Sequence, residues 1–206
     1  VAEGVFADSG ATLPAGADQA PADARPYRMP TRPVRRGITI AAIAVGAAAA
    51  ALATGPGQLP GPAALAVAAI ALQVPLGAPI AATDLRHHRI PNWLVLALAA
   101  GTLAALAVHP GLLLPGLAAA AAVGAGLLLL NLAGGMGMGD VKLAVACALA
   151  WGVHGVGITL LALGLGFVLS LPVALSRMRS GRGRERIPMG PSILTGSVLT
   201  LIWSLI

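Results

Sequence analysis

Leu112-Leu-Leu-Pro-Gly-Leu-Ala-Ala-Ala-Ala-Ala-Val-Gly-Ala-Gly-Leu-Leu-Leu-Leu-Asn-Leu-Ala133 is a run of 22 residues without a charge. A helix rises about 1.5 Å per residue, so about 20 apolar residues cross the roughly 30 Å of hydrocarbon in a bilayer. This run therefore reads as a membrane span. Outward from it, comparable apolar stretches lie at 38–54, 62–83, 93–108, 141–153, 155–176 and 189–206. The pattern predicts an all-α, polytopic membrane helix bundle of about seven transmembrane helices. The stretch at 141–153 is short for a span. Either it starts inside the bilayer, or the glycine-rich segment before it dips into the protein interior, where irregular backbone is tolerated at membrane depth.

Composition agrees with this reading. The chain of 206 residues is 57% hydrophobic and 10% charged, with a mean hydropathy of +0.87, against about 25% charged residues in soluble domains. Cys147 is the sole cysteine, which excludes an intrachain disulfide and a cysteine-based zinc cage. Residues 1–37, rich in Ala, Pro, Asp and Arg, read as a disordered cytoplasmic tail, and 38–206 as one membrane domain.

The net charge of +6 reports loops rather than nucleic acid. Five arginines lie in the tail (25, 28, 32, 35, 36), Arg86 and Arg89 follow the second stretch, Lys142 follows the fourth, and five arginines (177, 179, 182, 184, 186) follow the sixth. With seven spans all thirteen basic residues share one side, which the positive-inside rule makes the cytoplasmic one. The expected arrangement has the N-terminus inside, the C-terminus outside, and the protein in the plasma membrane.

Between Gly37 and Ser176 this apolar body holds two carboxylates, Asp84 and Asp140, each where an apolar stretch meets a polar loop. A carboxylate near hydrocarbon costs a few kcal/mol, so it points to function by default. Each also has a structural alternative. Asp140 suits the N-cap of the fifth helix, and Asp84 suits an interfacial pair with Arg86 or Arg89. Two such acids on one membrane face favour a shared site. Carboxylates brought close together hold a single proton between them. The ionised partner can activate a water while the protonated one donates to a substrate carbonyl or leaving amine. That is peptide hydrolysis without a metal, a cofactor or a covalent intermediate.

The glycine run 134–139 does not fit a phosphate loop, because neither Gly-Lys-Ser/Thr nor Gly-x-Gly-x-x-Gly follows from it. Gly135, Gly137 and Gly139 instead suit a lining that lets an extended peptide approach Asp140. Adjacent His87 and His88 point about 100° apart on a helix and form a poor chelating pair, so no metal site is expected. Asn92 before Trp93 reads as an N-cap beside an interfacial aromatic anchor. Pro75 and Pro79 are expected to kink the second span just before Asp84.

These residues resemble the type IV prepilin peptidase family, leader peptidases among the intramembrane Gly-x-Gly-Asp aspartyl proteases. The matching pieces are Asp84-Leu with Arg89-Ile-Pro91-Asn92, then Gly137-x-Gly-Asp140-Val-Lys142-Leu143, and a third segment, Ile187-Pro-Met-Gly-Pro191. The resemblance implies that Asp84 and Asp140 are a catalytic pair, with Pro91, Asn92 and Lys142 as supporting motif positions. It implies cleavage of short basic leaders from prepilin-like preproteins (type IV pilins, Flp pilins or pseudopilins), after a glycine and before a hydrophobic helix. Paired Cys-x-x-Cys motifs, carried by the bifunctional members that also N-methylate, do not occur in this sequence, which resembles the short, peptidase-only form. The rival readings are a proton-coupled transporter, which should show repeated halves with broken helices, and a non-catalytic pilus or secretion assembly factor.

Overall fold

The computed structural model describes residues 30–52, 61–181 and 187–206, and within them every regular element is helical. The elements are α1 (Arg32–Leu52), α2 (Gly61–His87), α3 (Asn92–Ala107), α4 (Pro110–Leu132), α5 (Met138–Trp151), a 3-10 turn at Gly152–His154, α6 (Val156–Arg179) and α7 (Gly190–Trp203). Seven helices thus occupy the seven apolar stretches. Three of them, α2, α4 and α6, are long and apolar enough to cross a membrane, while α3 and α7 are shorter apolar helices. The first helix starts at Arg32, inside the segment expected as tail, and residues 1–29 lie outside the described residues.

Short α5 is the centre of the bundle. It packs against α2, α3, α4, α6 and α7, and ten of its fourteen residues are buried, among them Leu143, Cys147 and Trp151. Trp151 is held at its far end, where Nε1 donates to Ser197 Oγ on α7 at 2.7 Å. Around this centre, α4 and α6 are apolar on all sides yet largely exposed, with Leu114 at 76% and Val156 at 75%. So much exposed aliphatic surface suits hydrocarbon rather than water.

Small residues let the helices close up, as packing in lipid requires. On the α1–α3 contact, a Cβ on Gly46 would collide with the Gly101 carbonyl, and one on Gly101 would stand 2.7 Å from the Ala42 carbonyl oxygen. Overpacking of this kind costs about 1–3 kcal/mol. Gly101→Val is therefore expected to lower the temperature at which the detergent-solubilised protein aggregates, whereas Gly111→Ala, at a position with nothing within 4 Å, leaves it unchanged. Equal melting of the two variants would show that α1 does not depend on this contact.

Helix α2 runs through Pro75 and Pro79 without a break. Thr83 turns its hydroxyl back to the Pro79 carbonyl at 2.7 Å, the i−4 back-bond that Ser and Thr make within helices.

The glycine-rich connection between α4 and α5 differs from one expectation. Residues 132–135 are exposed rather than folded into the protein interior. Helix α5 starts at Met138, before the apolar stretch at 141–153, after a turn that Gly134 makes with φ +79°, a conformation glycine adopts without a Cβ penalty. Asn131 Nδ2 pins this turn by donating to the Met136 carbonyl at 2.6 Å.

Candidate active site

Asp84 lies in the last turn of α2, where the chain must leave the helix; His88, in the left-handed region at φ 47°, ends it. The side chain is 4% exposed. Its Oδ2 accepts the backbone N–H of Gly190 at 2.9 Å, a residue 106 positions further along. Gly190 is the first residue of α7, so its N–H is one of the donors that a helix start leaves without an intrahelical partner. The positive end of α7 meets a carboxylate, an arrangement favoured by both the hydrogen bond and the helix dipole. The hydrogen bond of Asp84 thus goes to backbone on another helix, not to the neighbouring arginines that the sequence offered.

Gly190 has no room for a side chain. A Cβ there would stand 2.9 Å from Asp84 Oδ2 and 3.3 Å from its Cγ. The sequence marked 187–191 only as a segment resembling a family pattern. The role of Gly190 depends on a partner on α2, and no local pattern carries that information.

Asp140 is the third residue of α5, buried at 9% exposure. It is not the N-cap, which is Gly137, in extended conformation at φ −75°, ψ 141°. An acidic residue in the first turn still complements the helix dipole. A Cβ on Gly137 would stand 2.8 Å from Asp140 Oδ2, so this glycine makes room for the carboxylate itself. The place a Cβ would take on Gly139 faces Ile90, at 3.2 Å from its Cβ, while Gly135 has only the Leu130 carbonyl oxygen nearby, at 3.5 Å.

Ile90 joins the two motifs. It belongs to the loop just after Asp84 and packs on the glycine just before Asp140. Two residues on, Asn92 Oδ1 accepts a long hydrogen bond of 3.4 Å from Lys142 Nζ. Asn92 is therefore not the N-cap of α3. Pro91 holds that place without a side-chain cap bond, and the amide of Asn92 reaches across to α5 instead. Pro91 sets the entry to α3, where its carbonyl accepts the N–H of Leu94 at 3.0 Å.

Three connections meet at this end of the bundle: the loop after α2, the turn before α5 and the start of α7. The residues Arg86, Arg89, Lys142, Arg177 and Arg179 belong to this end by their helix termini. At the opposite end, Gly61 adjoins His109, and Gly152 adjoins Pro115 and Gly116, with no Lys or Arg among these described residues. Among the described residues these five basic side chains thus belong to one end of the bundle. Among the described residues no group of three His, Cys, Asp or Glu side chains is placed to hold a metal ion.

A bundle of helices, three of them long and apolar enough to cross a bilayer, with two buried carboxylates near one polar end, defines a class, the membrane proteins. The particular family follows from comparison: residues 73–175, half of the chain, match the type IV leader peptidase family, and the chain belongs to that family. The matched segment contains both aspartate motifs. No curated protein and no solved structure matches the chain. The chain is thus a peptidase-family membrane protein whose substrates are peptides in or at a membrane.

Proposed function

We propose that this protein is an aspartyl endopeptidase that removes short basic leaders from prepilin-like precursors, cutting after a glycine at the cytoplasmic face of the plasma membrane. Asp84 and Asp140 are the catalytic pair. The observation that carries this reading is the packing of Ile90 on Gly139, which joins the two aspartate motifs at one end of a bundle of leader-peptidase family.

In this reading the two carboxylates share one proton. The ionised one takes a proton from water as the oxygen attacks the scissile carbonyl. The protonated one donates to the carbonyl oxygen, and collapse of the tetrahedral species passes a proton to the leaving amine. The hydrogen bond from Gly190 fixes the rotamer of Asp84, leaving its other oxygen for chemistry. The open side of Gly135 gives the extended substrate backbone room to reach Asp140, with Gly137 and Gly139 keeping the lining thin. Lys142, Asn92 and Pro91 hold the two motifs against each other.

The test is direct. The purified protein in detergent, with no ion gradient, should shorten a co-purified precursor that carries a basic leader, a glycine and an apolar helix. N-terminal sequencing of the product should place the cut after the glycine. A transporter or an assembly factor would leave the precursor intact. A substrate with Val in place of that glycine should resist cleavage, while neutralising one leader lysine should slow it only a few-fold, since each such charge adds about 1 kcal/mol of membrane-surface attraction.

Orientation has its own test. Reporter fusions after Arg86 and after Arg179 should both score cytoplasmic, because their helix ends share the basic side. Activity of either fusion outside the membrane would remove access to a cytoplasmic leader.

A further inference from the structure

Gln73 is a polar side chain in the wrong place for a simple span. It lies in the middle of α2, is 2% exposed, and among the described residues neither its Oε1 nor its Nε2 has a hydrogen-bond partner. Both amide atoms are closed off from the surface in this conformation; an unsatisfied amide in an apolar surrounding is costly, and turning the side chain into the neighbouring groove would let it meet a partner. Gln73 lines a groove of about 320 Å³ between α2 and α7, together with Gly77, Ala78 and Ala81 on one wall and Leu194 and Thr195 on the other. Apart from Gln73 and Thr195 its lining side chains are apolar. Its upper end, at Ala81 and Pro191, adjoins the Asp84–Gly190 hydrogen bond. A larger groove between α4 and α6, about 720 Å³, lacks this feature: its one hydroxyl, that of Thr159, already donates to the Gly155 carbonyl.

We propose that the α2–α7 groove seats the apolar helix of the peptide substrate, and that Gln73 selects substrates bearing a hydrogen-bonding side chain about eleven residues beyond the cut. The inference rests on the leader-peptidase reading above. The spacing follows from helix geometry. Gln73 precedes Asp84 by eleven residues, about 16 Å along α2 at 1.5 Å per residue. A substrate helix lying alongside, with its scissile bond at Asp84, brings its residue about eleven positions past the cut beside Gln73. A Ser, Thr, Asn or Gln there satisfies the amide, whereas Leu leaves it unpaired.

Two measurements on the full-length protein test this. The first compares cleavage rates of precursors with Gln or Leu at positions nine to thirteen past the cut, using wild type and Gln73→Leu. Wild type should prefer Gln at one of these positions by about three- to tenfold, the range of interhelical hydrogen bonds in membranes. Gln73→Leu should lose the preference and cut the Gln and Leu precursors at similar rates. Replacing a buried unpaired amide by an apolar group of similar size is tolerated by folding. The second measurement uses Ala78→Cys, an exposed position in the groove, and single cysteines along the precursor's apolar segment. Disulfide trapping should peak about six residues past the cut.

Failure of wild type to cleave any precursor would overturn the reading of function. Cleavage with no position-dependent preference, or trapping spread evenly along the segment as for a groove filled by lipid, would overturn this inference alone.

Discussion

Asp84→Asn and Asp140→Asn are each expected to lower leader cleavage by about a thousandfold or more while the protein still accumulates in the membrane. General acid–base groups contribute about 10²–10⁴-fold apiece, and a pair that shares a proton loses both roles when either member can no longer titrate. Asparagine separates the chemistry from the architecture. At position 84 its amide oxygen still accepts the Gly190 N–H, now 2.9 Å from Oδ2, so α2 and α7 stay joined. At position 140 it keeps a polar side chain of the same size in the first turn of α5. Gel-shift assays with a cleavable precursor, alongside melting curves of the purified variants, read the two effects separately. Near-normal processing by either stable variant would remove that aspartate from the catalytic pair.

Gly190→Ala is expected to cost about a hundredfold in kcat with little change in KM, and Gly190→Val to cost more. The added Cβ would stand 2.9 Å from Asp84 Oδ2 and 3.4 Å from Asp84 Cβ, so the carboxylate or the start of α7 must shift by several tenths of an ångström. Misplacement of a catalytic group by about 1 Å costs about 10²-fold. Substrate binding along the groove, where the side chains of Ala78 and Thr195 are untouched, should survive. A wild-type kcat for Gly190→Val would show that the position of Asp84 does not depend on this contact.

The sequence carried the helical content well, because membrane insertion imposes a local rule. Every backbone polar group in hydrocarbon must be bonded within its own segment, so a long uncharged run such as 112–133 has one stable form. Helix ends were less legible. Asn92 and Asp140 both look like N-caps by residue type, yet Pro91 and Gly137 hold those places. Side-chain capping competes with contacts to other helices, and the amide of Asn92 is engaged by Lys142 from α5.

The two aspartate motifs were visible as sequence because each is compact and each interrupts an apolar stretch. Their supports were not visible in the same way. Ile90 reads as one more aliphatic residue until Gly139 is found beneath it. Gln73 sits inside a run that otherwise predicts an ordinary span, and only the absence of a partner among the described residues sets it apart.

What the sequence alone determined is whatever follows from residue type and short spacing: seven helices, and two acids placed where apolar stretches end. What only the tertiary structure decided is which ends meet. The Gly190 N–H reaches Asp84 across 106 residues, and short α5 is surrounded by five other helices. Packing between apolar helices in lipid is set by shape, glycine against backbone and side chain into gap, rather than by a repeating polar code. That shape exists only once the helices are side by side, so the place of each glycine, and of the one unpaired amide in the α2–α7 groove, is a property of the assembled bundle.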